Sequence, residues 1–168
     1  MLRVVSTLLA VLLFVTLAPS AAASPTAPRL RAIDARLARL IQETLRRSAT
    51  FADMARALQR SDVILYVVPA TRELPSELLG RVLFVCDAGR VRYLRAEIHM
   101  RRTDADLVAT IAHELQHTLE VAAHPDVRDE QGVRGLYGEI GCSRRPNRFD
   151  TKAADEAGWR VRSEVLVD

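Results

Sequence analysis

An α+β fold, with a small and mostly antiparallel sheet, is predicted by three features of this 168-residue chain. Apolar residues recur at helical spacing over residues 30–58. The pattern changes to short β-branched or alternating runs between Val63 and Met100, and helical spacing returns from Thr103 onward. This order gives N-terminal helices, a sheet, one long helix and a short helical C-terminal half.

The first segment reads as a leader rather than as part of the fold. Arg3 supplies charge, Leu8 to Leu17 form an apolar run, and Ala21-Ala22-Ala23 precede Ser24 as small residues suited to cleavage. Residues 1–23 are therefore expected to be a signal peptide, and 24–168 a single domain. The apolar run is shorter than the roughly 20 residues that span a bilayer comfortably. The expectation is an exported protein, periplasmic or secreted from a bacterium, with no stable membrane span once the leader is removed.

After a short Pro-containing linker, Leu30, Ile33, Leu37, Leu40, Ile41 and Leu45 mark an amphipathic helix, with Arg36, Arg39, Arg46 and Arg47 on its wet side. Thr50 and Asp53 have the spacing of a capping box and open a second helix through Phe51, Met54 and Leu58. Val63 to Val68 is a β-branched run stopped by Pro69, read as a buried strand. Arg81 to Val85 follows as a second strand after a loop carrying Pro75 and Gly80. Asp87-Ala88-Gly89 makes a hairpin turn into a third strand, Arg90 to about Met100, which sets Leu94, Ala96, Ile98 and Met100 against Arg95, Glu97 and His99. His99 falls on the polar face and reads as solvent-facing.

Thr103 and Asp106 cap the long helix, whose apolar stripe is Leu107, Val108, Ile111, Leu115, Leu119 and Ala122. His124-Pro125 ends it, because proline disfavours helical geometry in the preceding residue. Val133, Leu136, Tyr137 and Ile140 suggest another helix, weakened by Gly132, Gly135 and Gly138. Gly141 to Arg148 reads as loop, and a last helix from about Asp150 carries Ala154, Ala157, Val161 and Val165 on one stripe.

Formal charge is +3, from 24 basic and 21 acidic residues, and the basic residues alternate with acids along the chain. Without a dense basic block or aromatics to stack on bases, a nucleic-acid role has little support. Cys86 and Cys142 are the two cysteines. In an exported protein such a pair suggests one disulfide; the other readings are two separate thiols, or Cys142 as a zinc ligand or inhibitory thiolate.

The chemistry lies in His113-Glu114-Leu115-Gln116-His117, an HExxH pattern on the long helix. Residues four apart are about 40° apart around a helix, so both imidazoles can reach one tetrahedral Zn²⁺. Glu114 lies about 100° round from His113, beside the metal, where a carboxylate can take a proton from an activated water and pass it to a leaving amine. Two histidines need a third protein ligand. Glu120 points the same way but lies roughly 7.5 Å further along the helix than the midpoint of the histidines, so a supporting role suits it better. His124 and Glu139 are further candidates. Asp150 is preferred, because it extends the inward stripe of the last helix and a buried carboxylate needs a partner; its other reading is a plain N-cap. Asp155 and Glu156 fall off the stripe and read as solvent-facing.

The run Ile111 to His117, followed by Asp150-Thr151-Lys152-Ala153-Ala154, resembles the gluzincin arrangement, in which an acidic residue on a second helix, in a pattern like E-x-x-A, completes the zinc site. The short length and the leader are similar to the minigluzincins. Only the two helices and the segment between them carry the likeness, and this chain has Asp where that family has Glu, so its helix must come closer. The resemblance implies a zincin-like fold with a cleft between the sheet with its zinc helix and the C-terminal helices. It implies His113, His117 and Asp150 as ligands of Zn²⁺ and Glu114 as general base. A peptide or protein substrate would pair along the strand ending near Met100, and Tyr137 is either an oxyanion stabiliser or a core residue. The expected function is that of an exported zinc metallopeptidase; the alternative is a non-catalytic, zinc-stabilised binding or regulatory module.

Overall fold

The computed structural model describes residues 27–71, 74, 78–145 and 148–166, with the side chains at 142–149 left aside; the expected signal peptide lies outside the described residues. Among them the chain forms an α+β architecture of five helices, a four-stranded mixed sheet and a two-stranded ribbon. The order is β1 (Leu30–Ala32), α1 (Ala35–Arg47), α2 (Ala49–Arg60), β2 (Val63–Pro69), β3 (Gly80–Asp87), β4 (Arg92–Ile98), α3 (Asp104–Ala122), α4 (Glu130–Ile140), β5 (Cys142–Arg145), β6 (Arg148–Asp150) and α5 (Lys152–Leu166).

The sheet order is β1-β2-β4-β3, with β1 and β2 parallel, β2 and β4 parallel, and β3 antiparallel to β4. This corrects the mostly antiparallel expectation, since two of the three pairings are parallel. The reason is connectivity. The α1–α2 pair carries the chain from β1 back to the start of β2, and such a long crossover joins parallel strands. The segment after Pro69 then leads to the far edge before the hairpin brings β4 in beside β2. β4 is therefore an interior strand with both edges paired. It cannot accept an added strand, and β3 is the edge beside the cleft.

One face of the sheet carries the core. Leu65, Val67, Leu94, Ala96 and Ile98 are fully buried there, with Leu30, Ala32, Val82 and Phe84 packed around them. α3 covers this face with Leu107, Ile111 and Leu115. On the other face Arg31 donates to the Tyr66 hydroxyl at 2.8 Å. Glu97 departs from its expected exposure: it is buried at 5% because Arg81 and Arg95 bracket its carboxylate.

Three local readings change. Leu30 is not the first turn of a helix, because its pairing with Leu65 draws residues 30–32 into β1; Asp34 then caps α1 by accepting from Leu37 N–H, and Ile33 is left exposed. Helix α2 begins two residues before Thr50, on Ser48, whose hydroxyl accepts from Phe51 N–H at 3.0 Å. Thr50 instead donates to Glu164 of α5. The 141–148 loop contains the β5–β6 ribbon, which makes Asp150 the end of a strand rather than the start of a helix. By contrast Thr103 caps α3 as expected, and α4 forms despite its glycines, with Asp129 accepting from Gly132 N–H.

Arg92 is the buried anchor. Its side chain is fully buried, pairs with both oxygens of Asp62 at 2.9 and 2.6 Å, and donates to the carbonyls of Val121, His124 and Val127. It thereby satisfies orphan carbonyls at the end of α3 and fixes that end against β4. The guanidinium also holds the Asp62 carboxyl below its ordinary value. Cys86 is an exposed free thiol, counter to the expected bridge with Cys142, whose side chain lies outside the described residues. No helix among the described residues is long and apolar enough to cross a membrane.

Replacing Arg92 by Leu should leave the buried helix-end carbonyls without their donor, while Asp62, about a third exposed, turns to solvent. Unfolding in urea should then show a loss of about 3 kcal/mol, from buried hydrogen-bonding groups left unsatisfied, whereas Arg39→Leu, in an exposed pair, should cost less than about 1 kcal/mol.

Candidate metal centre

Helix α3 presents its apolar stripe to the sheet and its histidines to α5. Both Nε2 atoms turn toward one point: they lie 3.0 Å apart, and the Asp150 Oδ1 lies 3.6 Å from His113 Nε2. One donor atom each from His113, His117 and Asp150 falls within 4.8 Å of the others. Two ligands on a tetrahedral zinc, each about 2.0–2.2 Å from it, stand roughly 3.3 Å apart. The distances on this site bracket that value. Two imidazoles and a carboxylate are also a suitable donor set for zinc, so the three residues fit a metal ion.

Asp150 can serve because Thr151 takes the capping role. Thr151 Oγ1 accepts from Ala154 N–H at 3.1 Å and its carbonyl accepts from Asp155 N–H, which starts α5 one residue later than Asp150. The aspartate carboxylate is thus not used as the helix cap. The shorter acid side chain is brought within range by close packing. An added Cβ on Gly158 would lie 2.9 Å from the Ala109 carbonyl oxygen and 3.5 Å from His113 Cβ. A glycine inside a helix costs about 1 kcal/mol relative to alanine, and that penalty is the sequence signal for this contact. Ala154, Ala157 and Val161 complete the interface as the periodicity expected.

Glu114 is almost fully buried, at 3% exposure, and lines the cleft with the two histidines. Burial pushes its carboxyl up to about 7. Gly80, at the head of β3, makes its place: a Cβ there would come within 2.7 Å of Glu114 Oε1 and 2.8 Å of Thr110 Cγ2. Gly80 read as loop punctuation in the sequence, and nothing local shows that it faces the glutamate.

The remaining candidates sort by geometry. Glu120 is not among the three converging residues; its Oε2 meets the far nitrogen of His117, Nδ1, at 2.9 Å. Burial lowers the basicity of His117, but this hydrogen bond and the charges of Glu114, Glu120 and Asp150 overcome it and raise the ring above its ordinary value. His113 has no such hydrogen bond and is pushed down, first by burial and then by the neighbouring His117. Asp155, expected to face solvent, is half-exposed but stands 3.6 Å from His113 Nδ1. His124 closes the helix end through its carbonyl, and Glu139 is exposed; neither joins the cluster. His99 accepts from Arg101 N–H and stands apart from it. Tyr137 is a buried residue whose hydroxyl donates to the His117 carbonyl at 2.8 Å, and burial raises its phenol. That places it as a brace between α3 and α4.

The cleft around the cluster is about 1000 Å³. Leu78 to Phe84 of the β3 side form one wall, Val133, Arg134 and Tyr137 of α4 another, and Gly158, Trp159 and Arg162 of α5 a third. No motif or periodicity marks Trp159 in the sequence; at 71% exposed it is a large aromatic left open on the cleft wall. Comparison with known proteins gives no neighbour: no family model, no curated protein and no solved structure matches the chain.

Two outcomes follow for the purified domain. Gly158→Val should push α5 off α3 and weaken binding of added Zn²⁺ by about tenfold or more in a chelator-competition titration, since supporting residues commonly contribute 10–100-fold. The second concerns metal-free protein. The Glu114 carboxyl has an ordinary value of 4.5 and a folded value of about 7. Between these values the unfolded chain binds fewer protons than the folded one, so stability falls as pH rises through this window and stays reduced above it. Glu114→Gln should flatten that fall, by about 3 kcal/mol at most, in urea melts taken across the window. Parallel pH profiles for the two proteins would contradict the assignment.

Proposed function

We propose that this chain is an exported zinc metallopeptidase of gluzincin-like type, with a zincin-like arrangement of edge strand, metal helix and second helix. The observation that carries the reading is the convergence of His113, His117 and Asp150 within 4.8 Å beside the buried carboxylate of Glu114, in an open cleft. His113 and His117 would hold zinc through Nε2, and Asp150 through its carboxylate. A bound zinc supplies Lewis acidity toward a carbonyl and acidifies a water molecule at that point.

The chain's own residues do the rest. Glu114, a carboxylate beside the converging ligands, takes the proton from the attacking water and returns it to the leaving amine. The β3 edge offers unpaired backbone groups along the cleft, so an extended peptide can add to the sheet there. This moves the substrate strand from β4, as first expected, to β3. Export is inferred from Arg3, the Leu8–Leu17 run and Ala21 to Ala23.

The mature protein should bind one Zn²⁺ per chain, and His113→Ala or His117→Ala should abolish that binding in a metal analysis. Glu114→Gln should keep zinc while hydrolysis of a peptide library falls by roughly 10²–10⁴-fold. Asp150→Asn should weaken zinc itself, whereas Asp150→Glu should retain it better. Zinc bound stoichiometrically with no cleavage of any peptide by the wild type would replace the peptidase with a zinc-stabilised binding module; stoichiometric zinc on a His113→Ala/His117→Ala double variant would end the metal-centre reading.

A further inference from the structure

We propose that Glu120 and Thr151 form a positioning pair, which presets His117 as an Nε2 ligand and ties it to the segment that carries Asp150. The inference rests on the metal-centre reading above and adds two residues that do not join the converging three.

The pair is a continuous hydrogen-bonded chain. Glu120 Oε2 lies 2.9 Å from His117 Nδ1, and Glu120 Oε1 accepts from the Thr151 hydroxyl at 2.6 Å. The Thr151 oxygen in turn accepts from Ala154 N–H at the head of α5. Both ends are sheltered: Thr151 is 6% exposed and the Glu120 side chain 11%. An ionised carboxylate only accepts, so it requires a proton on His117 Nδ1. In the neutral ring this leaves the Nε2 lone pair free, and Nε2 is the atom that faces His113 and Asp150. Such outer partners fix the tautomer and orientation of metal-binding histidines.

The consequence is a division between the two histidines. His117 is held in its ligand form before any metal arrives. His113 is not, because Asp155 stands at 3.6 Å from its Nδ1, beyond hydrogen-bond range. In the neutral metal-free pair His113 then supplies the proton of the 3.0 Å contact between the two Nε2 atoms. Thr151 adds the second effect. As the residue after Asp150 and the cap of α5, it transmits the position of Glu120 on α3 to the third ligand.

The test uses long-range proton–nitrogen NMR of the His rings in metal-free protein, at alkaline pH where both are neutral, with a Zn²⁺ titration against a chromophoric chelator. His117 should carry its proton on Nδ1 in the wild type and in Glu120→Gln, whose amide can still accept from the ring. Glu120→Ala should give mixed tautomers and zinc affinity about 10–100-fold weaker. Thr151→Val should weaken zinc with the His117 tautomer intact, and Thr151→Ser, which keeps the hydroxyl, should restore it. A wild-type His117 protonated on Nε2, or Glu120→Ala with tautomer and affinity unchanged, overturns the proposal. If Glu120→Ala does not fold, Thr151→Val against Thr151→Ser decides: equal affinities overturn the coupling. Failure of the wild type to bind zinc would count against the metal centre, while the tautomer comparison would still decide the role of Glu120.

Discussion

The approach of α5 to α3 at Gly158 sets the geometry on which the candidate site depends. At that crossing the backbone of α5 comes so near the Ala109 carbonyl that a methyl group would collide with it. Small residues at 154, 157 and 158 let the two helices meet along this line, and Asp150, a short acid just before the helix, is carried to the Nε2 atoms of His113 and His117. Additional ties hold the helix in place. Arg162 pairs with Asp106 in the first turn of α3, and Glu164 binds Ser48 and Thr50 at the junction of α1 and α2. The second helix is therefore fixed at several points along its length.

Two of the buried charges in this small domain are answered by partners, while Arg29 keeps Nε and Nη1 buried without a hydrogen-bond partner among the described residues. Arg92 finds Asp62 and helix-end carbonyls, and Glu97 finds two arginines. Glu114 is different. Burial dominates its surroundings and raises its carboxyl to about 7, whereas Glu120, six residues on, is held below its ordinary value because the hydrogen bonds of His117, Thr151 and Tyr137 and the charge of His117 together outweigh its burial. One helix thus carries two glutamates pushed in opposite directions.

The cleft has unlike walls. Along β3 it offers backbone hydrogen-bonding groups, which are indifferent to sequence. On its α5 side, Trp159 presents an open aromatic surface.

Much of the local structure was legible in the residues themselves. The period of the apolar positions located the five helices and strands β2, β3 and β4, but not β1, β5 or β6; Thr103 marked the start of α3, and HExxH placed two imidazoles and a glutamate on one helix, because helical geometry alone fixes those relations. The glycine-weakened helix α4 and the Ala154, Ala157 and Val161 stripe of α5 were also visible. Partnership between distant segments was not. The capping exchange between Asp150 and Thr151 and the Glu120–Thr151 contact need the β5–β6 ribbon and the helix crossing. The burial of Arg92 needs the end of α3 beside β4. Strand order, and with it the choice of β3 over β4 as the open edge, depends on where the chain after Pro69 crosses. A sequence carries the period of each element; only tertiary packing decides which elements share an edge and which side chains lose their water.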